Sequence, residues 1–191
     1  MANRPRVAKM EFMAAEPNAL LLQAIHQRVE IQPYDSEWPG RFALERERLM
    51  NLFPAAFRGI EHIGSTAVPG LAAKPVIDLM AGVDSIGVAD ELMNPLCQCG
   101  YDTSKEFNAT LKDRRWLMLH ANGRRTHHLH LVIHGHPDWL QRLAFRDALR
   151  ADPVLAARYE ILKRSLAALH ADDREAYTKA KTGFILSVVG G

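Results

Sequence analysis

The sequence predicts an α+β fold, and three observations carry that prediction. Short apolar segments near residues 59–63, 76–83, 115–120 and 126–133 are bounded by Gly, Pro, Asn and Asp, as strands are. The last two flank Asn122-Gly123, a favoured hairpin pair, which makes them antiparallel neighbours. From Pro137 onward apolar residues recur at helical spacing, so helices follow the sheet along the chain instead of alternating with its strands.

Taken in order, residues 1 to about 15 read as a poorly anchored tail, and Leu20, Leu21, Ala24 and Ile25 mark one face of a short helix from Pro17 to Arg28. Val29 to Gln32 alternates as a strand would. Ser36 is the expected N-cap of a helix running to about Leu52. Trp38, Phe42, Leu49 and Leu52 share its inner stripe, with Glu37–Arg41 and Arg41–Glu45 as ion pairs on the wet side. Gly87 to Leu96 reads as a helix ended by a turn before Gly100, and Tyr101 to Leu111 as an edge strand and a loop. Pro137 and Asp138 open a helix to about Arg150. Asp152-Pro153 pairs an N-cap with a proline at the first helical position, starting a helix in which Leu155, Tyr159, Leu162, Leu166 and Leu169 repeat. A third helix from Asp172 or Asp173 would turn Tyr177, Ala180, Phe184 and Val188 inward. This organisation divides the chain into a tail and short helix, 1–28, and a single domain, 29–191. Its sheet-bearing part is about 29–136 and its helical part about 137–191.

Composition narrows the classes. With 48% hydrophobic and 24% charged residues among 191, a packed core is expected. No apolar run approaches the roughly 20 residues that span a bilayer, and acidic residues and Pro17 interrupt any signal-like segment at the N-terminus. Cys97 and Cys99 stand too close for an unstrained disulfide and are too few for a zinc cage, so they read as free thiols of a cytoplasmic protein. A net charge of +2, from 24 basic and 22 acidic residues, argues against a general nucleic-acid coat.

The chemistry concentrates in residues 60–83. Gly64 allows close backbone approach to a ligand, and the Ser65 and Thr66 hydroxyls with the loop amides could donate to phosphate oxygens. Asp78 lies inside the apolar run Val76-Ile77-Asp78-Leu79-Met80, where a carboxylate is costly unless paired or metal-bound. A second segment, His127-His128-Leu129-His130-Leu131, places His128 and His130 on one strand face and the leucines on the other. Two imidazoles beside an Asp-bearing strand could share a metal.

The stretch from His62 to Asp78, with His-x-Gly-Ser-Thr-x-Val-Pro-Gly-Leu-x-x-Lys-Pro-x-Ile-Asp, resembles the GrpB-like family, and the likeness extends over roughly residues 29–188. That family is grouped with the nucleotidyltransferase superfamily of the polymerase-beta type. The resemblance implies a nucleotidyltransferase-like mixed or antiparallel sheet with flanking helices and a C-terminal helical portion. It also implies a site in which Gly64, Ser65, Thr66 and Lys74 hold nucleotide phosphates. Asp78, His128 and His130 would bind a divalent metal, magnesium or manganese, and Asp78, His62 and His130 would be catalytic. The acceptor would be a small molecule or a protein hydroxyl. One departure stands out: the position two beyond Asp78, an acid in the superfamily, is Met80. A nucleotide-binding or regulatory module that has lost turnover is therefore the alternative. Glu61, on the side of its strand opposite His62, could be the missing acid if the strand is bulged or the loop twisted.

Overall fold

The computed structural model describes residues 17–190 and shows a mixed four-stranded sheet flanked by helices. In chain order the elements are α1 (Pro17–Ile25), α2 (Trp38–Leu52), β1 (Gly59–Ile63), a 3-10 turn (Ser65–Ala67), β2 (Ile77–Val83), α3 (Ile86–Gln98), α4 (Lys105–Ala109), β3 (Arg114–Ala121), β4 (Arg124–Ile133), α5 (Pro137–Ala151), α6 (Pro153–Leu169), α7 (Arg174–Ala180) and α8 (Thr182–Val189). The sheet order is β1-β2-β4-β3, with β2 and β4 parallel and both outer pairs antiparallel.

The period-2 pattern of the inner strands decides the layers. Ile77, Leu79, Ala81 and Val83 of β2, with Leu129 and Leu131 of β4, form the core against Trp38 and Leu49 of α2 and Ala89 and Leu96 of α3. Leu79, Leu129 and Leu131 are fully buried, and each such side chain contributes roughly 1.5–3 kcal/mol of transfer free energy. On the other face Met80, Val132 and Ile63 pack beneath Trp139 of α5. The long loop after β1 is then clasped by the C-terminal helices: Val68 and Leu71 pack on Leu149, Tyr159 and Phe184.

Local chemistry explains most boundaries. Asn122 and Gly123 both take positive φ (51° and 71°), the signature of a tight hairpin turn. The Asp152 carboxylate accepts from the amides of Val154 and Leu155 at 2.8 and 3.0 Å, and Asp173 accepts from Ala176 at 2.9 Å.

Several expectations are corrected. Val29 to Gln32 does not form a strand; Gln32 makes an isolated bridge to Ala73. Ser36 does not cap α2: the Asp35 carboxylate accepts from the Glu37 amide and pairs with Arg41. Glu45 turns inward, where it binds Arg48 and the Tyr101 hydroxyl, so neither predicted pair involving Arg41 forms. Leu52, Leu169 and Ala180 are exposed. The 101–111 stretch supplies only a bridge at Asp102 and the short helix α4. The last helix is two, α7 and α8, broken at Lys181. The predicted tail at residues 1–15 lies outside the described residues. Among these, no helix is long and apolar enough to cross a membrane.

Candidate metal and nucleotide site

Strand register assembles the site. Pairing of β2 with β4 sets Asp78 beside His128 and Met80 beside His130, so the carboxylate and both imidazoles share the sheet face opposite the main core. Asp78 Oδ1 lies 3.0 Å from His128 Nδ1 and 3.9 Å from His130 Nε2. One donor atom from each of the three residues falls within 4.8 Å of the other two, as a shared ion requires.

Burial alone would raise the Asp78 pKa, but the hydrogen bond with His128 and the neighbouring His130 ring hold it well below the ordinary carboxylate range. Burial also lowers the His128 pKa, to about 4, and lowers that of His130. At neutral pH the group is therefore an ionised carboxylate with two neutral imidazoles, the protonation state a metal needs. The outer ring nitrogens, His128 Nε2 and His130 Nδ1, are buried and lack a hydrogen-bond partner among the described residues. Trp116 packs 5.4 Å from the His128 ring and fixes its orientation.

Gly64 carries φ 70°, and a Cβ there would run into the Asp78 carboxylate, 3.1 Å from its Cγ. Glycine is thus required twice, for the backbone conformation and for the space. Ser65 follows in the 3-10 turn, with the Tyr159 hydroxyl facing it. Lys74 projects from the far end of the same loop; burial, with nearby Lys181 and Arg174, draws its pKa down to about 7. Gly64 therefore lies against Asp78, and Lys74 is near enough for that carboxylate to favour its charged form.

His62 and Thr66 do not. The β1–β2 register pairs His62 with Leu79 and Glu61 with Met80, so Glu61, not His62, shares the Asp78 face without any bulge. His62 stacks on Phe42 at 4.6 Å and lies 3.0 Å from Thr66 Oγ1, which donates to the Val76 carbonyl. The pair ties the Gly-Ser turn to the start of β2. Glu61 is held at 2.7 Å by Arg146, which also donates to the His62 carbonyl. A cleft of about 400 Å³ at the outer edge of β1 is lined by Phe42, Arg46, Glu61, His62, Arg146 and Arg150, without Asp78. Met80 is fully buried under Trp139, so an apolar cluster fills the place of a second acid.

Among the other basic residues of the sheet, Arg115 pairs with Asp90, Arg114 lies near Asp138, and Arg125 donates to the Ala24 and Ile25 carbonyls. His127 and His120 are half-buried, the latter 3.1 Å from Asp102. The residues that sequence reasoning passed over are Arg174 and Lys181, which approach Asp78 from α7 and the break before α8.

His62 gives a pH prediction. Burial depresses its pKa from 6.5 to about 4, so the unfolded chain binds the proton more readily than the folded one. Stability is then present in full above about pH 6.5 and is lost as pH falls toward 4, by at most about 3 kcal/mol from this group. Urea unfolding between pH 7 and 4 should show a smaller acid loss in His62→Gln than in the wild type; equal losses would contradict the assignment.

A Gly-Ser turn and an Asp-bearing strand, within a mixed sheet covered by helices, fit the nucleotidyltransferase-like fold that the resemblance implied. The family model described as GrpB protein matches residues 28–190, and the chain belongs to that family. The crystal structure of the conserved protein GrpB from Enterococcus faecalis superposes with a TM-score of 0.74 at 35% identity, covering 84% of this chain and 95% of that one. The UPF0157 protein YqkA of Bacillus subtilis is 39% identical over 170 residues, 87% of this chain and 49% of that protein. A dephospho-CoA kinase of Mycolicibacterium paratuberculosis is 33% identical over 176 residues, 80% of this chain and 43% of the kinase. The chain thus spans about half the length of these two curated relatives.

Proposed function

We propose that the protein is a metal-dependent, nucleotidyltransferase-like enzyme whose Asp78, His128 and His130 hold one divalent ion. The observation that carries this reading is the convergence of those three donors on a buried face beside the Gly64-Ser65 turn. Two imidazoles and one carboxylate favour manganese over magnesium, which prefers an all-oxygen shell. Bound there, the ion would act as a Lewis acid toward phosphate oxygens. The chain's own residues do the rest: Asp78 supplies the negative charge, the loop amides and Ser65 hydroxyl donate to phosphate, and Lys74 neutralises it. His62 and Thr66 act by bracing the turn. The acceptor is a small molecule or a protein hydroxyl. The likeness to a mycobacterial dephospho-CoA kinase supports a nucleotide-related role.

The burial of Met80 favours a second reading, a nucleotide-binding module without turnover, because one carboxylate is a thin shell for a two-metal displacement. Thermal unfolding of the wild type and Asp78→Asn with nucleoside triphosphates, with and without manganese, separates the two. A metal-dependent rise confined to the wild type, about 2.7 kcal/mol at 100 times the dissociation constant, supports the enzyme reading. A rise that manganese does not enlarge, in the wild type and the variant alike, points to the module. No rise with any nucleotide contradicts both.

A further inference from the structure

The C-terminal helices bring cations to Asp78 in a number the site does not balance. Lys74, Lys181 and Arg174 are each pushed down in pKa by burial, Lys181 to about 8, and Asp78 favours the charged form of all three. Lys74 and Lys181 share the Tyr177 ring, at 5.0 and 4.3 Å from its centroid, which keeps the two ammonium groups close to each other. Arg174 donates only through Nη2, to the Gln27 carbonyl at 3.2 Å; its Nε and Nη1 are buried and have no partner among the described residues. Lys163, 1% exposed, adds a fourth cation that Lys181 repels, and its Nζ donates to the Ala72 carbonyl. Arg174 and two half-buried lysines near one carboxylate leave a net positive cluster, an arrangement that is costly without a counter-anion. Guanidinium donors left open beside two ammonium groups match the oxygens of a phosphoryl chain.

We propose that Lys74, Arg174 and Lys181 form a polyphosphate-binding pocket, closed by α7 and α8 over the Asp78 face, that takes a ligand group carrying at least two negative charges. The proposal deepens the nucleotidyltransferase-like reading by giving its substrate a polyphosphate arm, but the pocket needs no metal to be charged. Inorganic tripolyphosphate in EDTA is the direct probe, with calorimetry and thermal unfolding as the readouts. The wild type is expected to bind and to be stabilised. Arg174→Gln and Lys181→Met should bind at least about tenfold more weakly, the loss of one charge-assisted contact. The exposed control Arg28→Gln, whose partner is Asp172, should bind as the wild type does.

Stability in the absence of anion discriminates a binding residue from a merely structural one. Removing a buried repelling charge should raise the melting temperature of Lys181→Met, whereas a structural lysine would lower it. Asp78→Asn should keep or strengthen tripolyphosphate binding in EDTA while losing manganese, so failure of the metal site and failure of the pocket give different results. The proposal is overturned if the wild type shows no response to millimolar tripolyphosphate, or if Arg174→Gln and Lys181→Met respond as the wild type does.

Discussion

Asp78→Asn is expected to fold and to lose divalent metal affinity by more than the roughly 10–100-fold seen when an outer-shell partner is removed. The amide is nearly isosteric and can still accept from His128 Nδ1, so the packing around it persists. What disappears is the one negative charge among the three donors, and with it the group that steadies Lys74, Lys181 and Arg174. The variant should accordingly melt below the wild type at neutral pH. The sign with acid follows from the depressed Asp78 pKa: its contribution is present above the unfolded carboxylate value and is lost as pH falls through the folded one. The difference in melting temperature between the two proteins should therefore shrink in acid. Melting temperatures at neutral and acid pH, with manganese titrations at neutral pH, check both parts; unchanged metal affinity would remove Asp78 from the site.

Gly64→Ala should be the most disruptive single-methyl change near the site. The substitution places an L side chain at φ 70° and drives its Cβ into the Asp78 carboxylate. The backbone term is about 1–2 kcal/mol, and displacement of a buried, hydrogen-bonded carboxylate should bring the total to about 2–4 kcal/mol. Metal affinity should fall as well, because Asp78 must move away from His128 and His130. Removing the obstacle tests the mechanism: in Gly64→Ala/Asp78→Ala the two stability losses should sum to less than their separate values, since the contact responsible is absent. Strict additivity in urea unfolding would show that the carboxylate is not what Gly64 makes room for.

The parts of the fold that follow local rules were legible before any coordinates. The Asn122-Gly123 turn, the Asp152-Pro153 start and the alternation His128-Leu129-His130-Leu131 each encode geometry in adjacent residues, and each is found as expected. Asp78 was legible for a related reason, since a carboxylate within an apolar strand needs a partner. What was not legible depends on contacts far apart in sequence. Whether His62 or Glu61 faces Asp78 is set by the pairing of β1 with β2, and the family pattern, which includes His62, pointed to the wrong face. The His62 ring stacks on Phe42 and lies within hydrogen-bond distance of Thr66. Glu45 looked like one arm of a surface ion pair until Tyr101, 56 positions away, drew it inward. Arg174 and Lys181 belong to no motif; only the fold sets Lys181 over the Tyr177 ring and brings both residues within the influence of Asp78.

Electron spin-echo spectroscopy of the manganese-loaded protein tests most directly whether a single ion is held by one carboxylate and two imidazoles. Manganese binding with nitrogen modulation from coordinated imidazole, reduced in both His128→Ala and His130→Ala and lost with binding in Asp78→Asn, is the predicted result. Manganese bound without nitrogen coupling, or coupling indifferent to all three substitutions, would contradict it and place any metal elsewhere in the protein.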